Sequence, residues 1–235
     1  MKNPAELIQS ALKQGRKVLF EHEAKALARA VGLVVPRSEV ITSNDETGLL
    51  EAAEKLGFPL ALKAVSPQIL HKTEAGAVAL DIKDKIALFA AVKQIRGAIA
   101  TRMPGAMIEF FLLEKMMPPG LELLVGGLRD EQFGPCVAFG LGGIWVEAFK
   151  DAVFGISPMT RDEMLDMMNE TKAGMLLKEF RGNQPLDREA ALAAISAVST
   201  LMTDFPEISE IDINPLRLYP KGAAALDVRV ILTKP

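Results

Sequence analysis

The sequence predicts an α/β fold of mixed α+β character, built from two units. Helix-period and strand-like runs alternate as far as Ala106, and near Met107 the texture changes to strand-like runs separated by Pro, Gly and charged turns. Hydrophobic residues make up 49% of the 235-residue chain, enough for a substantial core.

In chain order, the stretches from about Pro4 to Leu12 and from Glu21 to Val31 carry apolar residues at helical spacing. Gly15 and Gly32 stand where helix-ending glycines belong. After Pro36 come a strand candidate (SEVI), a polar turn (TSNDET) able to cap a helix, and that helix (GLLEAAEKLG) with its glycine stop. The next strand contains Lys63, AVALDI from Ala77 to Ile82 is another, and DKIALFAAVKQIRGAIA follows as a helix. From Met107 the runs MIEFFLLEKMM, LELLVGGL, PCVAFGL and IWVEAF read as an antiparallel sheet. Two helical segments follow, MTRDEMLDMMNETKAGMLLKEF and REAALAAISAVSTLMTDF. EIDINPLRLY and GAAALDVRVIL close the chain as short strands around a Pro-Lys-Gly turn.

Composition excludes several function classes. The formal net charge is -3 and no window concentrates Lys and Arg, which argues against nucleic acid as a partner. No apolar run approaches the roughly 20 residues that span a bilayer, and the N-terminus lacks a signal-peptide layout, so the expectation is a cytoplasmic protein with no membrane partner. The single cysteine, Cys136, cannot form an internal disulfide and reads as a small buried apolar residue. Two histidines far apart in the sequence give no cluster for a structural zinc.

Four stretches could carry chemistry. Lys63 lies in a strongly apolar strand, where a buried ammonium needs an anion; the alternative is a stem that snorkels to the surface. His71, followed by KTEAGAV, sits in a polar connection whose glycine lets backbone N–H groups approach phosphate oxygens, although a lone loop histidine is also an ordinary surface residue. GLGGIWVEAFKD brings three glycines close to Glu147 and Lys150, and reads either as a close approach to a ligand or as a sheet turn with an ion pair. It is neither a Walker loop nor a dinucleotide fingerprint. In EIDINPLRL and LDVR, Asp212, Asn214 and Asp227 offer hard oxygen ligands of the kind magnesium prefers when it also holds phosphates; the alternative is a set of turn-forming residues.

The order of Lys63, the His-Lys-Thr loop, EKMMPPGLELLVG, FGPCVAFGLGGIWVEAFKD, TKAGMLLKEFRG and EIDINPL resembles the ATP-grasp β subunit of ADP-forming acyl-CoA (acetyl-CoA) synthetases over nearly the whole chain. It is similar, more remotely, to the nucleotide half of succinyl-CoA synthetase. The resemblance implies an ATP-grasp fold of two α/β subdomains clasping a nucleotide. Residues 21–106 would form the lid with Lys63 and the His71 loop, and residues 1–20 with 107–235 the nucleotide- and metal-binding subdomain.

The same resemblance assigns roles. Lys63 would hold nucleotide phosphates, Glu114, Lys115 and Met116 would receive adenine at the hinge, and Glu122 would help hold the nucleotide. Asn214 and Asp227, with Asp212 close by, would bind Mg2+ alongside ADP/ATP, and His71 would be the phosphohistidine carrier. A CoA-binding α subunit would complete the enzyme, as an α2β2 heterotetramer. Departures from the family pattern are Ala77 where a second glycine is common, Gly155 where relatives often have arginine, and Glu179 where many have glycine. Rival expectations are a ligase that activates a carboxylate directly, and a regulatory nucleotide-binding module.

Overall fold

A computed structural model describes residues 3–69, 72–143, 151–178 and 184–233. Among them are ten strands and seven helices in two compact units, Pro36–Pro118 and Met1–Val35 with Pro119–Pro235. No described helix is long and apolar enough to cross a membrane.

The smaller unit is a four-stranded antiparallel sheet of β1 (Ser38–Thr42), β2 (Leu60–Val65), β3 (Val78–Ile82) and β4 (Phe110–Lys115), in the order β1-β4-β2-β3. Its helices, α3 (Glu46–Leu56) and α4 (Lys85–Arg102), start where the sequence supplies an aspartate: Asp45 accepts from Gly48 N and Asp84 from Ala87 N, both at 2.8 Å. Alternation along β2 and β4 sends Leu60, Leu62, Ala64, Phe111 and Leu113 into a core with Leu49, Ala53 and Leu56 of α3 and Leu88, Ile95 and Ile99 of α4. Each such fully buried leucine contributes roughly 1.5–3 kcal/mol, more than a cap does, so burial rather than capping fixes this sheet face. The opposite face carries Ala61, Lys63 and Leu112, and all three are buried as well.

The larger unit opens with α1 (Pro4–Lys13), capped by Asn3, and α2 (Glu21–Ala30). Its sheet holds β5 (Leu121–Asp130), β6 (Gly134–Leu141), β7 (Val153–Ile156), β8 (Ile208–Leu218) and β10 (Val228–Leu232) in the order β10-β8-β5-β6-β7, with β9 (Ala223–Ala225) also pairing with β8. One sheet face packs Val125, Val137, Phe139, Ile211 and Ile213 against Ile195, Val198 and Met202 of α7 (Arg188–Asp204). A β carbon on Gly127 would lie 2.6 Å from Met202 Cγ, so the glycine allows α7 to approach. The other face presents Gly126, Asp212 and Arg229, which lie side by side across β5, β8 and β10.

One element differs from the sequence expectation. The run from Met159 to Phe180 is not one helix: α5 (Arg161–Asn169) ends and α6 (Lys172–Leu176) begins at buried Thr171, whose Oγ1 donates to Met168 O and accepts from Gly174 N, each at 2.9 Å. The hydroxyl caps its own restart, and Gly174, where a β carbon would lie 1.8 Å from Met168 O, lets the second helix turn against the first. The run IWVEAF, with Glu147 and Lys150, lies outside the described residues, as does Glu179. As to extent, α1 and α2 bury Leu7, Ile8, Ala24, Leu27 and Ala28 in the core of the larger unit, and β4 pairs with β1 and β2, so the contact-defined units divide at Val35/Pro36 and Pro118/Pro119.

Candidate functional site

Each unit gathers one group of the singled-out side chains. In the smaller unit, Lys63 on β2 stands opposite Leu112 of β4, and Glu114 stands opposite Ala61. The lysine and the glutamate are therefore diagonal neighbours on one sheet face. Lys63 Nζ meets Glu114 Oε2 at 2.9 Å, with side chains only 8% and 3% exposed. The buried lysine has its anion within the fold and does not snorkel. Lys115 turns elsewhere: its Nζ donates to the carbonyls of Gly57 at 2.9 Å and Phe58 at 2.6 Å. The backbone N–H groups of Lys115 and Met116 donate to the Arg37 and Pro59 carbonyls, at 2.9 and 3.2 Å.

His71 lies outside the described residues. The turn that follows it is well tied. Ala77 N donates to Lys72 O at 2.8 Å, Gly76 N to Thr73 O at 3.0 Å, and Arg102 Nη1 to Glu74 O at 2.8 Å. Gly76 has φ +67°, and a β carbon there would meet Ala98 Cβ at 2.8 Å, so glycine is required. Ala77, one of the departures from the family pattern, is fully buried in the core of this unit.

The larger unit gathers Glu122, Asp212, Asn214 and Asp227. Between Leu123 and Val125 the β5–β8 register shifts, so that β8 gains a residue between Ile213 and Leu216. This bulge keeps both flanking apolar residues in the core and re-aims Asn214. Asn214 N donates to Asp227 O at 3.3 Å, and its Oδ1 accepts from Gly143 N at 2.8 Å. Burial pushes the Asp212 carboxyl above the usual aspartate range, Arg229 pulls it partly back, and the charges of Asp227 and Glu210 push it further. Arg229 Nη2 lies 2.5 Å from Glu210 Oε1 and 3.9 Å from Asp212 Oδ2. Glu122 pairs with Arg217 across the same two strands, Oε1 to Nη2 at 2.5 Å.

This donor set fits a hard divalent cation. Two carboxylates, one raising the other, are joined by an amide oxygen. Among the described residues no three His, Cys, Asp or Glu side chains gather to hold a metal by themselves. Arg217 and Arg229 carry no signal in the sequence reading; they become visible only once strand register sets them opposite Glu122 and Asp212. Gly155 shows a packing effect of its own: a β carbon there would lie 2.4 Å from Met159 Cε, so the methionine fills the space that a larger residue at 155 would need.

Two mixed α/β units with these clusters define the class. A family model for the ATP-grasp domain matches residues 10–232. The β subunit of ADP-forming acetate–CoA ligase I of Pyrococcus furiosus is 39% identical over 227 residues, covering 97% of each chain. The ADP-forming acetate–CoA ligase I of Archaeoglobus fulgidus is 38% identical over 97% of this chain, but that match spans 33% of the relative's longer chain. Among solved structures, the acetyl-coenzyme A synthetase 1 of Ca. Korarchaeum cryptofilum in complex with coenzyme A, Ca-AMPCP and HgCl+ superposes with a TM-score of 0.92 at 38% identity, over 98% of this chain and 100% of that one. The same synthetase with coenzyme A and Mg-AMPPCP, its phosphohistidine segment pointing towards the nucleotide binding site, gives 0.84 at 36% identity, again over 98% and 100%. The chain belongs to the ATP-grasp family of β subunits of ADP-forming acetate–CoA ligases. The expected ATP-grasp fold is thereby borne out.

Proposed function

We propose that this chain is the nucleotide-binding β subunit of a cytoplasmic ADP-forming acyl-CoA synthetase, which converts acyl-CoA, ADP and phosphate to acid, CoA and ATP with a CoA-binding α subunit in an α2β2 assembly. The observation that carries the reading is the related synthetase whose phosphohistidine segment points towards its Mg-AMPPCP site, matched over 98% of this chain. This chain has two histidines. His22 stacks on Phe20 at 5.9 Å between ring centroids, with its Nδ1 buried at the start of α2, which supports His71 rather than His22 as the carrier. The fused relatives, in which this unit is about a third of a longer chain, support a partner that supplies the remainder.

In this relay an imidazole nitrogen of His71 takes a phosphoryl group from a phosphohistidine of the α subunit, one P–N bond forming as another breaks. A terminal phosphate oxygen of ADP then attacks the same phosphorus, a P–O bond forms, and the imidazole leaves; this nitrogen is both a competent nucleophile and a good leaving group near neutral pH. Lys63, paired with Glu114, would face the phosphates from the lid, and Glu114 to Met116 would receive adenine through groups other than the Lys115 and Met116 N–H. Glu122 would help hold the nucleotide. Asn214 and Asp227, with Asp212, would hold magnesium, which when bound neutralises phosphate oxygens. The work left to the chain is positioning and charge.

The test is labelling of the full chain with γ-phosphate-labelled Mg-ATP. His71→Ala abolishes an acid-labile, alkali-stable adduct and ATP synthesis by the reconstituted complex, while His22→Gln keeps both. Comparable ATP synthesis by the His71→Ala complex would refute the relay and favour direct activation of a carboxylate.

A further inference from the structure

The connection from β2 to β3 is tied down on both sides of His71. Upstream, Ile69 N donates to Ser66 O at 3.2 Å, the Ile69 side chain is buried in the core of the smaller unit, and Gln68 Oε1 accepts from Met107 N at 2.9 Å. Downstream, the turn from Lys72 to Ala77 is closed by Ala77 N on Lys72 O and by Gly76 N on Thr73 O, and Ala75 and Ala77 are buried in the same core. Residues 70 and 71 alone separate the two tied pieces. Consecutive α carbons are about 3.8 Å apart, so the place of the downstream turn sets where the histidine that precedes it can be.

The side chain that seats this turn comes from the last residue of α4. Arg102 Nη1 donates to Glu74 O, in the middle of the turn, at 2.8 Å. Gly76 lets the turn come close: a β carbon there would lie 2.8 Å from Ala98 Cβ and 3.2 Å from Arg102 Nη1. Arg102 is exposed, so water competes for its bond and the share of that bond in global stability is small. Its use lies in where it holds the turn. As the turn runs into β3, Ala64 N donates to Ala77 O at 2.8 Å and Val78 stands opposite Lys63. A turn seated on α4 therefore keeps a fixed relation to Lys63, the cation assigned to the nucleotide phosphates.

We propose that Arg102 is a positioning residue for phosphoryl exchange with the nucleotide: by seating the Lys72–Ala77 turn on α4, it sets His71 for the step that takes place beside Lys63. This rests on the reading of His71 as the carrier. Arg102 touches neither nucleotide nor phosphoryl group in this assignment, and delivery from the α subunit, a step without Lys63, does not depend on it.

The probe is the full chain reconstituted with its α subunit, with the two half-reactions read separately as label on the β chain. One starts from γ-phosphate-labelled Mg-ATP, where a P–N bond to His71 forms as the P–O bond to ADP breaks. The other starts from acyl-CoA and labelled phosphate without nucleotide. Arg102→Met slows labelling from Mg-ATP about tenfold, the scale of one hydrogen bond from a charged donor. It leaves labelling from acyl-CoA and phosphate, Mg-ADP affinity and the melting midpoint near those of the parent, and Arg102→Lys recovers part of the loss. In a 15N-labelled chain the Gly76 amide exchanges faster with solvent in Arg102→Met. Gly76→Ala, whose methyl group would strike Ala98, is the second variant and slows the same half-reaction.

Unchanged labelling from Mg-ATP in Arg102→Met, or equal slowing of both half-reactions, overturns the positioning role, while loss of label in His71→Ala keeps the carrier reading. A fall in midpoint that runs parallel to the fall in rate also overturns it, since that is what a merely structural contact would give. If His71→Ala takes up label as the parent does, the carrier reading itself fails and the proposal falls with it.

Discussion

In the smaller unit the buried ammonium of Lys63 meets the buried carboxylate of Glu114 at 2.9 Å, and the fold supplies both charges. In the larger unit Asp212 is partly buried beside Asp227 and Glu210, and their charges push its carboxyl up against the pull of Arg229. Folding neutralises the first pair; it concentrates negative charge in the second group. On the proposed assignment, the difference separates two ways of preparing for a phosphate ligand. A cation built into the protein must be kept charged in a dry place, and a counter-ion does that. A cation that arrives from solution needs oxygens already gathered, and the cost of gathering them is borne by the metal-free fold.

The comparison is broken most severely by removing one charge from the closed pair. Glu114→Leu leaves Lys63 buried without the carboxylate, a change that costs about 3–5 kcal/mol in comparable buried pairs. Denaturant unfolding reads the loss. The double variant Lys63→Met with Glu114→Leu recovers most of it, because a buried ion pair and an apolar pair of similar volume are close in stability. A single variant as stable as the parent would mean that Lys63 does not depend on Glu114, and the contrast with the larger unit would disappear.

How far all this was legible in the sequence follows from what each feature depends on. Helix starts at Asp45 and Asp84 were readable because a cap is a local bond between residues three apart. The anion for Lys63 was expected, but its identity was not, since Glu114 is brought to it by the pairing of β2 with β4. Arg217 stayed hidden for a sharper reason. Its partner is set by strand register, and the bulge at Asn214 and Pro215 shifts that register by one residue, which no alternation pattern announces. The break at Thr171 is not legible because apolar residues keep helical spacing across it, and only the fold shows the buried hydroxyl bonding to Met168 O and Gly174 N.

Effects of middle size belong to the open cluster. On the proposed metal assignment, Asp227→Ala weakens Mg-ADP binding at least tenfold by calorimetry, with no loss of melting midpoint. Asp212→Asn goes further in separating the two uses. A carboxyl raised in the folded state destabilises that state at neutral pH, so removing the charge raises the metal-free melting midpoint while Mg-ADP binding weakens. A lowered midpoint in Asp212→Asn would show that its charge is satisfied by the protein after all, as it is for Glu114.

The smallest effect comes from a carboxylate in the same unit that the fold does satisfy. Asp187 caps α7, accepting from Ala190 N at 3.0 Å and from Gly222 N at 2.7 Å, so that it also pins the turn between β8 and β9. The Gly222 N–H first, and the Ala190 N–H after it, hold this carboxyl below the usual aspartate range, the reverse of Asp212. Because the folded pKa is depressed, the stabilisation is fully present above the unfolded value of about 3.9 and is lost as pH falls through the folded value. Asp187→Ala therefore lowers stability by about 1 kcal/mol at neutral pH, and the difference from the parent shrinks as the pH is taken below about 4. Asp187→Asn keeps an acceptor for Ala190 N, loses less, and shows no such pH dependence. Neither variant changes Mg-ADP affinity. Should Asp187→Ala weaken Mg-ADP binding as strongly as Asp227→Ala does, carboxylates satisfied by backbone N–H groups could not be told apart by function from those gathered against one another, and the division drawn between Asp187 and the Asp212–Asp227 cluster would fail.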